Sequence, residues 1–435
     1  MFNIFKKKNN EDSPAHEEWL KAKEYFDKSD YSSALTTLVS GFKKDLYHKP
    51  LYELASICLD KMGGNDESVL FKKAISKLNE KTFKELGNHF FKVEHYPLTW
   101  IFLEESFKTN KDVEVANNLS IAYARRFDIK QAKATLESIK DKFDFWTFWF
   151  YVKMRILSND TYGLEEQIRE LESAFDPNTT NENIIIPKQK VRELRESFNR
   201  LQSVSNPEEN IRDWHFIQYG SMILDFFYDD NQYVAGGRHV ASWGNNEAIK
   251  SILKKLSGIL KSKEINKIVY ANTKDSKVLG IALSQISNIP KEAYNSHIIY
   301  SNSLLLVGDS SEFNEFNNVE SITNGNITFS FNHNWLQANF ICPDIIGLMS
   351  QFYTYPWNGG NFKMNNDGTT SRTEPDSRDV ELIAREIANC ELKDENKIDG
   401  FYHKVETHLK MNQESGHRYN FMVESPIPGS YFGTK

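Results

Sequence analysis

The chain has 435 residues, 40% hydrophobic and 26% charged, with a formal net charge of −7 at pH 7. That length exceeds one ordinary domain and implies two or three, with the composition of a soluble globular protein. So mild a charge, spread evenly between the two halves, supplies no polyanion-binding surface, and no nucleic-acid partner is expected.

The first residues, MFNIFKKKNNEDSP, place a basic cluster after a short apolar stretch broken by Asn3, the reverse of a secretion signal. Residues 1–14 read as a solvated tail. The most apolar window, FDFWTFWFYV (Phe143–Val152), contains Asp144 and is followed by Lys153 and Arg155. It falls far short of the roughly 20 residues of a membrane span, so no membrane partner is expected. Cys58, Cys342 and Cys390 form no CxxC pair, which predicts no disulfide framework and a reduced, cytoplasmic setting.

Three segments share one internal spacing. The first carries Tyr25, Tyr31, Ala34, Leu38 and Gly41; the second Phe90, Tyr96, Thr99, Leu103 and Ser106; the third Tyr123, Ile129, Ala132, Leu136 and Ile139. The small residue moves from 34 to 99 to 132, close to two periods and then one period of about 34 residues. A weaker unit with Leu54, Ala55 and Cys58 fills the gap, its turn irregular around Gly63 and Gly64. Phe83, Leu86, Gly87 and Phe90 make one apolar helical stripe, and Pro97 suits the first turn of a second helix. The stretch Phe83–Phe107 therefore predicts two helices joined by a turn near Val93–His95, with Gly87 and Thr99 small where they approach.

Leu86, Gly87, Phe90, Thr99, Leu103 and Ser106, together with Leu119, Ser120, Tyr123, Ala132, Leu136 and Ile139, resemble the patterned positions of the tetratricopeptide-repeat family. The resemblance spans residues 15–175 as four or five repeats, the last (Asp144–Ala174) carried mainly by aromatics. It departs at Thr99, where Ala is usual, and at Ser120, where Gly is usual. It implies stacked helical hairpins whose concave groove takes another protein or a peptide. One subgroup grips a C-terminal carboxylate with Lys and Asn from adjacent repeats, and Lys84, Asn88 and Asn118 fall at matching positions. The basic pair of the following repeat has no counterpart, since Phe148 and Val152 occupy that region. The plainer alternative for the trio is a satisfied set of surface side chains. In the aromatic run, Trp146, Trp149 and Phe150 share a helical face and are expected in the core.

Residues 176–210 read as linker and bridging helix. DPNTTNENIIIPKQK breaks the helical rhythm, and Val191, Leu194, Phe198 and Leu201 then form a stripe. Residues 211–435 read as an α/β domain with a mixed sheet. WHFIQYGSMILDFF, the turn YDDN and YVAGGRHVASW predict a β-hairpin. INKIVYAN, HIIYSNSLLLVGD and NITFSFNH are expected strands. NNEAIKSILKKLSGIL, SKVLGIALSQIS, CPDIIGLMSQFY and SRDVELIAREIANCEL are expected helices, the last capped by Ser377 or Asp379. Gln351–Asp379 reads as a long loop, either a lid or a plain surface segment.

Ligands of open α/β sheets bind beyond the carboxyl ends of the strands. That rule selects Asp275 and Ser276, then Asp309 and Ser310, and thirdly Gly236, Gly237 and Arg238 as a candidate ligand-binding set. The competing reading is of helix caps at the acidic pairs and a tight bend at the glycines. No P-loop, dinucleotide fingerprint, HExxH or GxSxG motif occurs. His333, His403 and His408 have no clustered companions, so neither cofactor nor metal is expected. The leading expectation is a scaffold recruiting a protein through the repeats. The alternative is an enzyme or ligand-binding protein whose α/β domain holds a nucleotide or phosphorylated molecule. The sequence sets no oligomeric state.

Overall fold

The computed structural model describes residues 10–175, 182–204, 206–207, 210–226, 234–316, 325–335, 342–360, 362–365, 367–392 and 425–427. The expected turn at residues 228–231, most of the predicted tail, and His403 and His408 lie outside the described residues. The chain divides into two compact units, Met1–Arg155 and Ile156–Lys435.

The first unit opens with four helix pairs: α1 (His16–Asp27) with α2 (Tyr31–Lys44), α3 (Lys49–Met62) with α4 (Asn65–Ser76), α5 (Glu80–Lys92) with α6 (Tyr96–Thr109), and α7 (Val113–Arg125) with α8 (Ile129–Glu137). Each pair also packs on the next, through α2 with α3, α4 with α5 and α6 with α7. The turns inside the pairs are built alike. Each holds one left-handed residue, namely Ser29, Gly63, Glu94 and Phe127, and these lie 34, 31 and 33 residues apart. The next amide in each, of Asp30, Gly64, His95 and Asp128, donates to the carbonyl five residues back at 2.8–2.9 Å, closing the helix end. The turn at Gly63–Gly64, irregular in sequence, makes the same bond as the others.

The stretch Phe83–Phe107 is thus two helices, and Pro97 sits in the first turn of α6. Asp30, His95 and Asp128 each cap the second helix of their pair by accepting a backbone N–H. The core these pairs enclose is aromatic. Phe42, Tyr52, Phe71, Phe83, Phe90 and Phe102 are buried with ring centroids 4.8–6.3 Å apart. Thr99 is fully buried.

Gly87 marks the closest approach of α5 and α6. A Cβ there would lie 2.4 Å from Leu103 Cδ2 and 3.2 Å from the Leu103 backbone nitrogen. Gly87→Ala is therefore expected to cost about 1–2 kcal/mol, the overpacking outweighing the gain in helix propensity. Urea titration of Gly87→Ala, Leu103→Ala and the double variant checks this. The double loss should be smaller than the sum of the single ones, and strict additivity would refute the contact.

α9 (Phe145–Leu157) crosses the division between the units. Phe150 and Tyr151 are buried, but Trp146 is 47% exposed. The expectation that Trp146 belongs to the core is corrected. Only part of the stripe it shares with Phe150 is covered.

The second unit contains α10 (Leu164–Ser173), α11 (Glu182–Val204), α12 (Ile211–Tyr219), α13 (Asn246–Ser262), α14 (Lys274–Ser287) and α15 (Val380–Asn389). Its strands are β1 (Met222–Ile223), β2 (Val234–Ala235), β3 (Arg238–Trp243), β4 (Lys267–Tyr270), β5 (Lys291–Ala293), β6 (Ser303–Asp309), β7 (Ile327–His333) and β8 (Ile345–Thr354). They form one sheet in the order β2-β3-β8-β7-β6-β4-β5, with β1 joining β8 at Ile345 and Ile346. Every pairing is parallel except β2 with β3, so the sheet is mixed, as expected of an α/β domain. Leu304, Leu306, Phe329 and Phe331 share a buried cluster with residues of α13, α14 and α15.

Three sequence readings are corrected. CPDIIGLMSQFY is not a helix but the body of β8, whose first seven residues are all buried. β7 pairs along one edge of β8, and β1 then β3 along the other, so a continuous apolar run suits a strand covered on all sides. WHFIQY is not a hairpin arm but part of α12, capped by the Asn210 side chain and ended by left-handed Gly220. Gln351–Asp379 is not one loop, since it includes the end of β8, a 3-10 turn at Pro356–Asn358 and a separate hairpin of β9 (Phe362–Met364) with β10 (Thr370–Arg372). The cap of α15 is Asp379, as one of the two expected residues.

The topology fixes one privileged place. After β4 the chain runs through α14 to the edge strand β5, then returns to β6 on the opposite side of β4. The loops leaving β4 and β6 therefore diverge and open a crevice at their carboxyl ends.

Candidate functional site

Two groups of predicted residues are drawn together, one in each unit. In the first unit, α5 presents Lys84 and Asn88, and α7 presents Asn118. Both helices start with a side-chain cap, Asn79 for α5 and Asp112 for α7. Lys84 Nζ lies 2.9 Å from Glu114 Oε2 and 3.2 Å from Asp112 Oδ1. Asn88 Nδ2 donates to Glu114 Oε1 at 3.3 Å, and Asn118 Nδ2 donates to Asn88 Oδ1 at 3.1 Å. The Glu114 bond holds the Lys84 ammonium above its ordinary range against the pull of burial, and Asp112 adds to the effect. Burial alone would push the Asp112 carboxyl up, but the Val115 amide and Lys84 together leave it below the usual carboxylate range. Chemically, this is a cation and a chain of two amides closed around a carboxylate.

In the second unit, the crevice between β4 and β6 gathers Asp275, Ser276 and Asp309. Thr273 caps α14 through its hydroxyl, and Asp275 follows in the first turn. Asp275 accepts from Trp357 Nε1 at 2.6 Å and from Asn358 Nδ2 at 3.2 Å. Ser276 Oγ donates to Glu312 Oε2 at 2.5 Å and accepts from the Gly308 amide at 2.8 Å. Thr273 Oγ1 donates to the same Glu312 oxygen at 2.8 Å. Asp309 caps the short 3-10 helix Ser310–Glu315 and accepts from Asn332 Nδ2 at 2.7 Å. Burial pushes the Glu312 carboxyl above its usual range, with Ser276 and Thr273 pulling against it. Tyr355 donates to the Gly308 carbonyl at 2.8 Å and stacks on Trp357. Ser310 is buried. Asp275 and Glu312 lie close enough for their charges to interact, and the Ser276 and Thr273 hydroxyls already serve Glu312, an arrangement unsuited to phosphate.

The third predicted place is different in kind. Gly236 and Gly237, both at positive φ, form the two-residue turn of the β2–β3 hairpin. Arg238 follows in β3, separated from β6 by β8 and β7. It is fully buried, donates to the Ile427 carbonyl at 2.8 Å and faces the Trp335 ring at 5.4 Å. The seven predicted ligand residues thus divide between two environments, with the cation apart from the acids.

Among the described residues no group of three or more His, Cys, Asp or Glu is placed to hold a metal ion, and no helix is long and apolar enough to cross a membrane. No protein-family model matches the chain, and no curated protein matches it.

Sequence reasoning missed Asp112 and Glu114 beside Lys84, and Glu312 and Asn332 in the crevice; Tyr355 and Trp357 were noticed only as aromatics flanking a candidate lid. Glu114 had a faint signal, being an acid in the first turn of a helix one repeat after Lys84. Nothing in the sequence linked Trp357 to its partner Asp275, 82 residues away.

Proposed function

We propose that the chain is a recruitment scaffold whose first unit binds a protein or peptide segment ending in a carboxylate, on the face shared by α5 and α7. The resemblance of residues 15–175 to tetratricopeptide repeats motivates this reading. The observation that supports it is the closure of Lys84 and Asn88 on the two oxygens of one carboxylate. A surface cation with two aligned amides is complementary to a terminal carboxylate in charge and in hydrogen-bond count. The second unit then serves as the body that is delivered or held, with the crevice between β4 and β6 as its own place for a polar ligand.

The test uses the full chain and immobilised degenerate peptides presented with free or amidated C-termini. Retention on the free-acid peptides should exceed that on the amides by about tenfold, the order expected of charge-assisted hydrogen bonds. Lys84→Ala should abolish the difference. Equal retention on both peptide forms would defeat the proposal.

A further inference from the structure

We infer that Glu114 is the resident occupant of this carboxylate position, a side chain that holds the place of the ligand's terminus and sets the affinity and selectivity with which that place is filled. The inference rests on the recruitment reading and names a residue that reading does not require.

Both oxygens of Glu114 are held, and by different donors: Oε2 by Lys84 at 2.9 Å and Oε1 by Asn88 at 3.3 Å. A free carboxylate entering from outside would be received in the same way. Asn118 donates to Asn88 Oδ1, which orients the Asn88 amide so that its nitrogen faces the acid. Glu114 is also the counter-ion that can leave. Its side chain is 61% exposed, and its tie to α7 is the small, general one of an acid in the first turn. Asp112, the other acid on Lys84, is half as exposed at 32% and caps α7 by accepting from the Val115 amide at 3.1 Å. Lys84 therefore has one anchored partner and one releasable partner.

An incoming carboxylate must displace Glu114, so the resident acid takes back part of the advantage that a free terminus holds over an amide, about two- to fivefold. A ligand adds to what remains through the rest of its chain along the helices, so the position favours extended segments over isolated small acids.

A peptide selected in the free-acid experiment is titrated against the full-length wild type, Glu114→Gln, and Glu114→Gln combined with Lys84→Ala. Glu114→Gln is expected to bind about two- to fivefold more tightly, the range for releasing an exposed ion pair, and the gain should vanish when Lys84 is also replaced. Wild-type binding with unchanged or weaker affinity for Glu114→Gln overturns the resident role and leaves recruitment standing. If no free-acid peptide binds any of the chains, recruitment falls and the resident role falls with it. A second readout needs no peptide: the Asn88 side-chain amide signals of 15N-asparagine-labelled protein, followed as sodium acetate replaces chloride at constant ionic strength. Acetate should shift them at lower concentration in Glu114→Gln than in wild type, and identical responses overturn the inference.

Discussion

A Gly347→Ala chain is expected to lose about 3 kcal/mol or more of folding stability, the upper range for overpacking a site that cannot yield. Gly347 lies in β8 beside Phe331 of β7. A Cβ on it would stand 2.4 Å from the Phe331 carbonyl oxygen and 3.1 Å from the Phe331 carbonyl carbon. These are backbone atoms of a central parallel strand, held by β6 on one side and β8 on the other. No rotamer change relieves the clash, so the strands must part or shear. At Gly87, by contrast, the nearest atoms belong to the Leu103 side chain, which truncation can withdraw. Urea midpoints of Gly347→Ala and Gly347→Ala/Phe331→Ala measure the difference. The second change should restore nothing, because the obstruction is main chain, and a substantial recovery would show that the side chain was the obstacle.

Acidification from pH 6.5 to pH 4 is expected to remove about 3 kcal/mol of stability through His333 alone. His333 is fully buried at the end of β7, and desolvation drives its imidazole pKa down to about 4, opposed only weakly by Asp309. An unfolded chain takes up the proton near pH 6.5, whereas the folded chain resists it until about pH 4. The unfolded state therefore binds more protons throughout that window, so stability is complete above it and falls as pH drops. His239, also depressed by burial, acts in the same direction. The shift of about 2.5 units corresponds to the stated energy at about 1.4 kcal/mol per unit. Urea midpoints at pH 7.5, 6, 5 and 4.5 should fall more steeply for the wild type than for His333→Gln. Parallel pH profiles would show that His333 takes up its proton at the same pH in the folded and unfolded chains, and the predicted loss would fall.

What the sequence reveals of this fold depends on how locally each feature is determined. The α5–α6 hairpin is legible because its stripe and Pro97 act within a few residues of one another. β8 is illegible because a strand enclosed on both faces loses its alternation, and Pro343 ahead of it imitates a helix start. α12 was readable from Asn210 and Gly220, its two end signals, but the aromatic run between them spoke for a strand. Pro97 marks the turn near Val93–His95, but the left-handed residues Ser29, Glu94 and Phe127 carry no sequence mark of their own, since left-handed backbone is advertised only when the residue is Gly or Asn. Lys84, Asn88 and Asn118 were found as a group because repeat spacing aligns them. Glu114 was not, because its importance arises only once α5 and α7 lie side by side. The crevice followed the same rule: Asp275 and Asp309 were reached through strand ends, while Glu312 and Trp357 come to them through tertiary folding.

Those left-handed residues have one more implication. Three of the four corners are bent in a manner their own residues resist, by an amount a glycine would relieve. A backbone hydrogen bond closes each corner, and the packing of neighbouring pairs on one another adds to what keeps it folded. An excised pair would lose that packing on both flanks and relax at its corner first. Solidity here belongs to the row, and no member of it owns its shape alone.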